Sequence, residues 1–145
     1  MTVQRILDSQ KGAERAHIAP DATVRDVLDV LAKANVGAVL VSSDGNKVEG
    51  IISERDIVRG LQREGPGLLD KRVNELMTKE VVTCVPTDRA AGIMAVMVSK
   101  HLRHVPVIKD GQFLSMISIR DLLQLRLTEV QSEADAMRSY IMKGM

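Results

Sequence analysis

Apolar positions in this chain follow a helical spacing, then form short apolar runs of the kind that make buried strands, and the whole order occurs twice. Val24, Val27, Leu28 and Leu31 recur at helical spacing behind Thr23, which can cap a helix with Asp26 in a capping box, so a helix is expected to about Asn35. Val36 to Val41 reads as a buried strand, Asp44-Gly45-Asn46-Lys47 as a turn, and Val48 to Ile52 as a second strand paired to the first. Ser53 opens another helix to about Gly60, and Gly65-Pro66-Gly67 break the chain before a second copy begins near Lys71. There the pattern predicts a strand near Val81 to Cys84 and a helix over Asp88 to Lys100. A hairpin of His104 to Ile108 and Phe113 to Ile117 around Asp110-Gly111 follows, then a helix from Ile119. Each unit is strand, helix, hairpin, helix, an α/β arrangement.

The repetition extends to residue identity. Pro20 matches Pro86, Val27 matches Ile93, Leu31 matches Met97 and Asp44-Gly45 matches Asp110-Gly111, all at an offset of 66. After the turn the offset is 65, since Ser53-Glu54-Arg55-Asp56 answers to Ser118-Ile119-Arg120-Asp121. One supersecondary unit built twice, with a single-residue slip in a turn, predicts a pseudo-symmetric pair with clefts between the copies. With 145 residues, each half is too small to close a generous core alone. The expected halves, 1–70 with an N-terminal segment and 71–145 with an extended last helix, should therefore fold as one unit.

That last helix departs from its twin in length. From Gln112 to Lys143 there is no Gly or Pro, and Leu123, Leu127, Val130, Ala134, Met137 and Ile141 keep one apolar seam at 4-3-4-3-4 spacing. The seam either packs on its own pair or is used between subunits.

Composition narrows the functional classes. Twenty basic and 19 acidic residues leave no electrostatic footprint for nucleic acid or an anionic membrane, and Phe113 and Tyr140 are the only aromatics on which a base could stack. The single Cys84 excludes an internal disulfide framework, and neither a secretion signal nor an 18-residue apolar run is present, so a cytoplasmic protein is expected. His101-x-x-His104 lacks a third metal ligand at a telling spacing, and Cys84 lacks an evident base. No catalytic residue and no metal site are expected.

Met77-Thr78 ahead of a strand, Val82-Thr83-Cys84-Val85-Pro86, Arg103-His104-Val105-Pro106-Val107, the Asp-Gly turns and the twin Ser-x-Arg-Asp motifs together resemble a cystathionine beta-synthase (CBS) domain pair, or Bateman module, over nearly the whole chain. The resemblance implies a regulatory sensor module, without turnover and without an obligatory cofactor. Its ligand would contain adenosine, with AMP first and ADP, ATP, NAD(H) or S-adenosylmethionine as alternatives, bound between the two motifs. It also implies a homodimer formed through the helices after each motif, and a regulated partner protein. A ligand-free scaffold acting on a partner is the alternative.

The residues offer chemistry for such a ligand. Ser53 and Ser118 end apolar strands and begin helices, where hydroxyls and backbone N–H groups favour phosphate. Asp56 and Asp121, on the same face, can accept from a ribose cis-diol, or simply complete a capping box. Arg55 and Arg120 sit in first turns, where a cation opposes the helix dipole by about 0.3–1 kcal/mol unless an anion pairs with it. Glu54 can partly neutralise Arg55, whereas Ile119 stands at the equivalent place, so the second motif is expected to be the more anion-seeking. By resemblance, Ile51, Met116, Val39 and Val105 would flank the adenine, or form plain core. Pro106 lacks an N–H, so its strand should lie at an edge or beside a ligand. One cleft is expected to combine Ser53, Arg55 and Asp56 with Thr83, Arg103 and His104. The other should combine Ser118, Arg120 and Asp121 with His17, Gly37 and Ala38. Two departures from the family pattern, Ser115 in place of a Gly and Gly37-Ala38 in place of an Arg-His pair, make the two clefts inequivalent.

Overall fold

The computed structural model describes residues 1–10 and 15–144, and its first element was not expected: a helix, α1 (Val3–Ser9). The first copy follows with β1 (His17–Ile18), α2 (Val24–Ala34), β2 (Ala38–Val41), β3 (Gly50–Ser53) and α3 (Glu54–Glu64). A 3-10 turn (Pro66–Asp70) and the short α4 (Val73–Leu76) lead into the second copy: α5 (Ala90–Lys100), β4 (His104–Lys109), β5 (Gln112–Ser118) and the long α6 (Ile119–Lys143).

Helix starts obey the expected local chemistry. Thr23, Ser53 and Ser118 each accept from the backbone N–H three residues on, and Asp26, Asp56 and Asp121 accept in return from the capping residue's N–H. The helices preceding the hairpins, α2 and α5, both end on a left-handed residue, Asn35 (φ 52°) and His101 (φ 55°). Asp110 and Gly111, both at positive φ, turn the β4–β5 hairpin directly, as a two-residue turn of matching twist requires.

β1 runs parallel to β2, and β3 antiparallel to it; β4 and β5 form an antiparallel ladder with an irregularity between Val107 and Ile108. The strand expected near Val81 to Cys84 is reduced to one bridge, Cys84 to Val107. Cys84 N donates to the Pro106 carbonyl and Ile108 N to the Cys84 carbonyl, but Pro106 has no N–H with which to carry the ladder back toward Val82. In the first copy Leu40 stands at that place, and the two-residue β1 forms.

Each copy builds its own apolar core from equivalent residues: Ile18, Val39, Val41, Ile52 and Ile57 in one, Cys84, Val105, Val107, Ile117 and Leu122 in the other. The opening helices, however, are exchanged. Val3 and Ile6 of α1 lie in the second core, whereas Val73 of α4 lies in the first. The docking bonds correspond one to one. Val3 N and Gln4 N donate to the carbonyls of Asp88 and Pro86; Val73 N and Asn74 N donate to those of Ala22 and Pro20, at 2.8–2.9 Å throughout. Ala90 N to the Met1 carbonyl likewise mirrors Val24 N to that of Lys71. The front of each half thus closes the other, which pins the two copies and the space between them.

Beyond its first turns α6 leaves the body. Leu122 and Leu125 are buried against the second core, but Leu127 (65% exposed), Val130 (47%), Met137 (62%) and Ile141 (56%) are not covered. Among the described residues nothing on its own pair covers the seam, because it faces away from the side that carries Leu122 and Leu125.

Candidate functional site

Two clefts lie between the copies, and each begins at one Ser-x-Arg-Asp helix start. The first, about 290 Å³, is lined by Ile51, Ser53, Arg55 and Asp56 together with Arg103 and His104 from the start of the opposite hairpin. The second, about 500 Å³, gathers Met116, Ser118, Arg120 and Asp121 with Gly37 and Ala38, and again Arg103 and His104. Gly37, Arg103 and His104 border both clefts. A side chain at 37 would bring its Cβ to 3.1 Å from His104 Cε1, so the missing side chain in the first copy is what admits the imidazole of the second.

Several expected contributors lie elsewhere. Thr83 is exposed and borders neither cleft; Thr78 takes its place, tied by a backbone pair to Ile51 at 2.9 and 3.0 Å. His17 is turned away to the Asp44-Gly45 turn, where a Cβ on Gly45 would meet its ring at 3.0 Å. Val39 and Val105 are core residues with almost no exposure, and Pro106 is buried, its carbonyl bound to Cys84 N. Of the apolar set expected to flank a base, only Ile51 and Met116 reach the clefts.

Asp56 Oδ2 accepts from Ser53 N at 2.9 Å and from Ser53 Oγ at 3.1 Å, and Asp121 Oδ2 accepts from Ser118 N at 2.8 Å. Both carboxylates therefore complete capping boxes, while no described donor reaches Oδ1 of either. Arg55 donates to the His101 carbonyl at 3.4 Å, at the negative end of α5. Among the described residues no carboxylate lies within ion-pair distance of Arg55, Arg59, Arg103 or Arg120.

Tertiary packing brings to the first cleft cations that the motif spacing alone does not place there. Four cations, Arg55, Arg59, Lys100 and Arg103, face two carboxylates, Glu54 and Asp56, in the first cleft, against Arg103 and Arg120 with Asp121 in the second. Arg59 stands one helical turn after Arg55, a spacing visible in the sequence, whereas Lys100 arrives from the end of α5.

Gln10, which no sequence signal singled out, enters the second cleft from the end of α1. It donates to Asp121 Oδ2 at 3.4 Å and accepts from Ser115 Oγ at 2.8 Å. The hydroxyl that replaces the family's glycine thus has a partner. At the equivalent Gly50 a Cβ would lie 2.6 Å from Met77 Sδ and 3.0 Å from the Thr78 carbonyl, so a side chain there would have to displace Met77.

Burial lowers the His104 pKa below the ordinary 6.5; Glu54 and Asp121 oppose this and Arg103 adds to it. A base that holds fewer protons folded than unfolded makes stability rise with pH, so its contribution is full above about 6.5 and is lost as pH falls below that. Urea unfolding of His104→Gln is expected to show a flatter stability profile between about pH 5 and 7 than the unaltered protein; an equally steep one assigns the slope to other groups. Cys84, by contrast, has its thiol pushed up to about 12 by burial and by the nearby Asp88, and is an inert core residue at neutral pH. No described helix is long and apolar enough to cross a membrane.

Comparison with known proteins identifies the repeat. The family model of the CBS domain matches twice, at residues 14–63 and 73–128. A mitochondrial CBS domain-containing protein of Arabidopsis thaliana, CBSX3, is 33% identical over 128 residues, 86% of this chain and 62% of that protein. The chain thus spans less than two thirds of that relative's length. A crystal structure of a CBS-domain containing protein from Agrobacterium tumefaciens superposes with a TM-score of 0.81 at 32% identity, over 87% of this chain and 99% of the other. A CBS domain protein from Pyrobaculum aerophilum complexed with AMP superposes with a TM-score of 0.70 at 27% identity, over 83% of this chain and 89% of that one.

Proposed function

The chain belongs to the CBS-domain family, and on that premise we propose that it is a cytoplasmic regulatory module that senses an adenosine-containing ligand, AMP first, in the clefts between its two motifs, without turning it over. One observation carries the reading. Two equivalent helix starts, each offering a serine, an aspartate with an unused carboxylate oxygen and an arginine with no acidic partner among the described residues, open onto clefts that share Arg103 and His104. The arginines supply paired donors for a phosphate, the free Oδ1 atoms of Asp56 and Asp121 supply acceptors for ribose hydroxyls, and Ile51 and Met116 supply apolar surface for a base. The AMP held by the similar Pyrobaculum protein supports this ligand class.

Titration calorimetry with AMP, ADP, ATP, NAD and S-adenosylmethionine tests the proposal. Saturable heat with at least one, and recovery of that compound unchanged after prolonged incubation, is the expected result; no heat from folded, ligand-free protein defeats it. The closure of both capping boxes by the serines and aspartates themselves supports a second reading, a scaffold that acts on a partner, and that reading gains from a silent titration. In either case the assembled form is a twofold homodimer, supported by the equivalent apolar residues Val58 and Leu123 that α3 and α6 leave 65% and 50% exposed.

A further inference from the structure

We propose that the projecting part of α6 forms a short parallel two-stranded coiled coil with the same segment of a second copy. The family match ends at residue 128, so the stretch of α6 from Glu129 to Lys143 lies beyond the matched repeat. In a heptad reading Leu127, Ala134 and Ile141 take the a positions and Leu123, Val130 and Met137 the d positions. At about 100° per residue this seam lies roughly 130° around the helix from Leu122, Leu125 and Glu129, the side turned to the chain's own body. An apolar stripe held on the outward side of a helix continues to Ile141 without a partner among the described residues, which suits a second copy with the same stripe.

Charge selects the occupant and the direction. In a parallel pair the g residue Glu133 faces the e residue five positions on, Arg138 of the second copy, and the twofold axis makes this contact twice. An antiparallel pair that keeps all six seam residues in layers brings Glu133 against its own counterpart and loses that ion pair. Fewer than three heptads are marginal alone, so the coil adds to the twofold contact proposed above through α3 and α6 and rests on it.

Cross-linking in the full-length protein tests the coil. Ala134→Cys places a thiol in the seam and Ser132→Cys places one on the outer f position, while Cys84 is buried and unreactive. Under mild oxidation the first is expected to form disulfide-linked dimers at least about tenfold faster than the second. Adding Glu133→Arg to Ala134→Cys is expected to slow this linking, and adding Arg138→Glu as well to restore it. Equal rates at 132 and 134, or indifference to the charge exchange, overturns the coil. Light scattering on the unaltered protein separates the causes: a dimer without selective linking at 134 removes only the coil, whereas a monomer at tens of micromolar removes the homodimer with it.

Discussion

Ile6→Ala is expected to destabilise the molecule by about 2–5 kcal/mol, the range for truncating a large buried aliphatic side chain. Ile6 is 4% exposed and packs among Val105, Val107 and Leu122 although it stands at the opposite end of the sequence. A domain of this size has about 5–15 kcal/mol in all, so the loss should be obvious in a urea melt. Its location is as diagnostic as its size. Because α1 closes the second copy, amides of β4 and β5 should lose hydrogen-exchange protection first in Ile6→Ala, while those of β2 and β3 should lose it first in Val73→Ala. A loss below 1 kcal/mol, or the reverse order of exchange, would show that the exchanged helices do not close the opposite cores.

In the second cleft Asp121→Ala and Arg120→Ala are each expected to weaken AMP binding by about 1.5–3 kcal/mol, the value of a hydrogen bond to a charged group. Adenosine separates their roles. Arg120→Ala should leave adenosine almost unchanged, since the lost partner is the phosphate, whereas Asp121→Ala should weaken both ligands through the ribose. Because Asp121 also closes the capping box of α6 by accepting from Ser118 N, its substitution should in addition lower stability by about 0.5–1.5 kcal/mol. Asp121→Asn, which keeps the cap geometry, helps to divide the two effects. If calorimetry finds equal losses of AMP and adenosine in Arg120→Ala, the guanidinium supports structure instead of phosphate.

The sequence alone determined whatever depends on neighbours a few residues apart. Thr23, Ser53 and Ser118 were legible as caps because the capping bond spans three residues, and the hairpin turns because positive φ at Asp110 and Gly111 is a local demand. The duplication was legible too, and with it the paired clefts and the meeting of Ser53, Arg55 and Asp56 with Arg103 and His104. Tertiary structure alone decided how the copies are joined and where the cleft walls run. The exchange of α1 and α4 rests on bonds between residues about 85 and 50 positions apart, such as Val3 to Asp88 and Val73 to Ala22, for which no periodicity exists. The same holds for Gln10 reaching Asp121 and for Thr78 standing where Thr83 was expected. His17 stands outside the cleft because the Asp44-Gly45 turn packs on it, and Val39, Val105 and Pro106 stand outside it because β2 and β4 are buried on both faces just beyond their first residues, Ala38 and His104, which alone of these strands reach either cleft. For the seam of α6, spacing could state that one helical face is apolar. Only the direction in which Leu122 and Leu125 enter the core decided that this face points outward, since a helix has no preferred side until something packs against it.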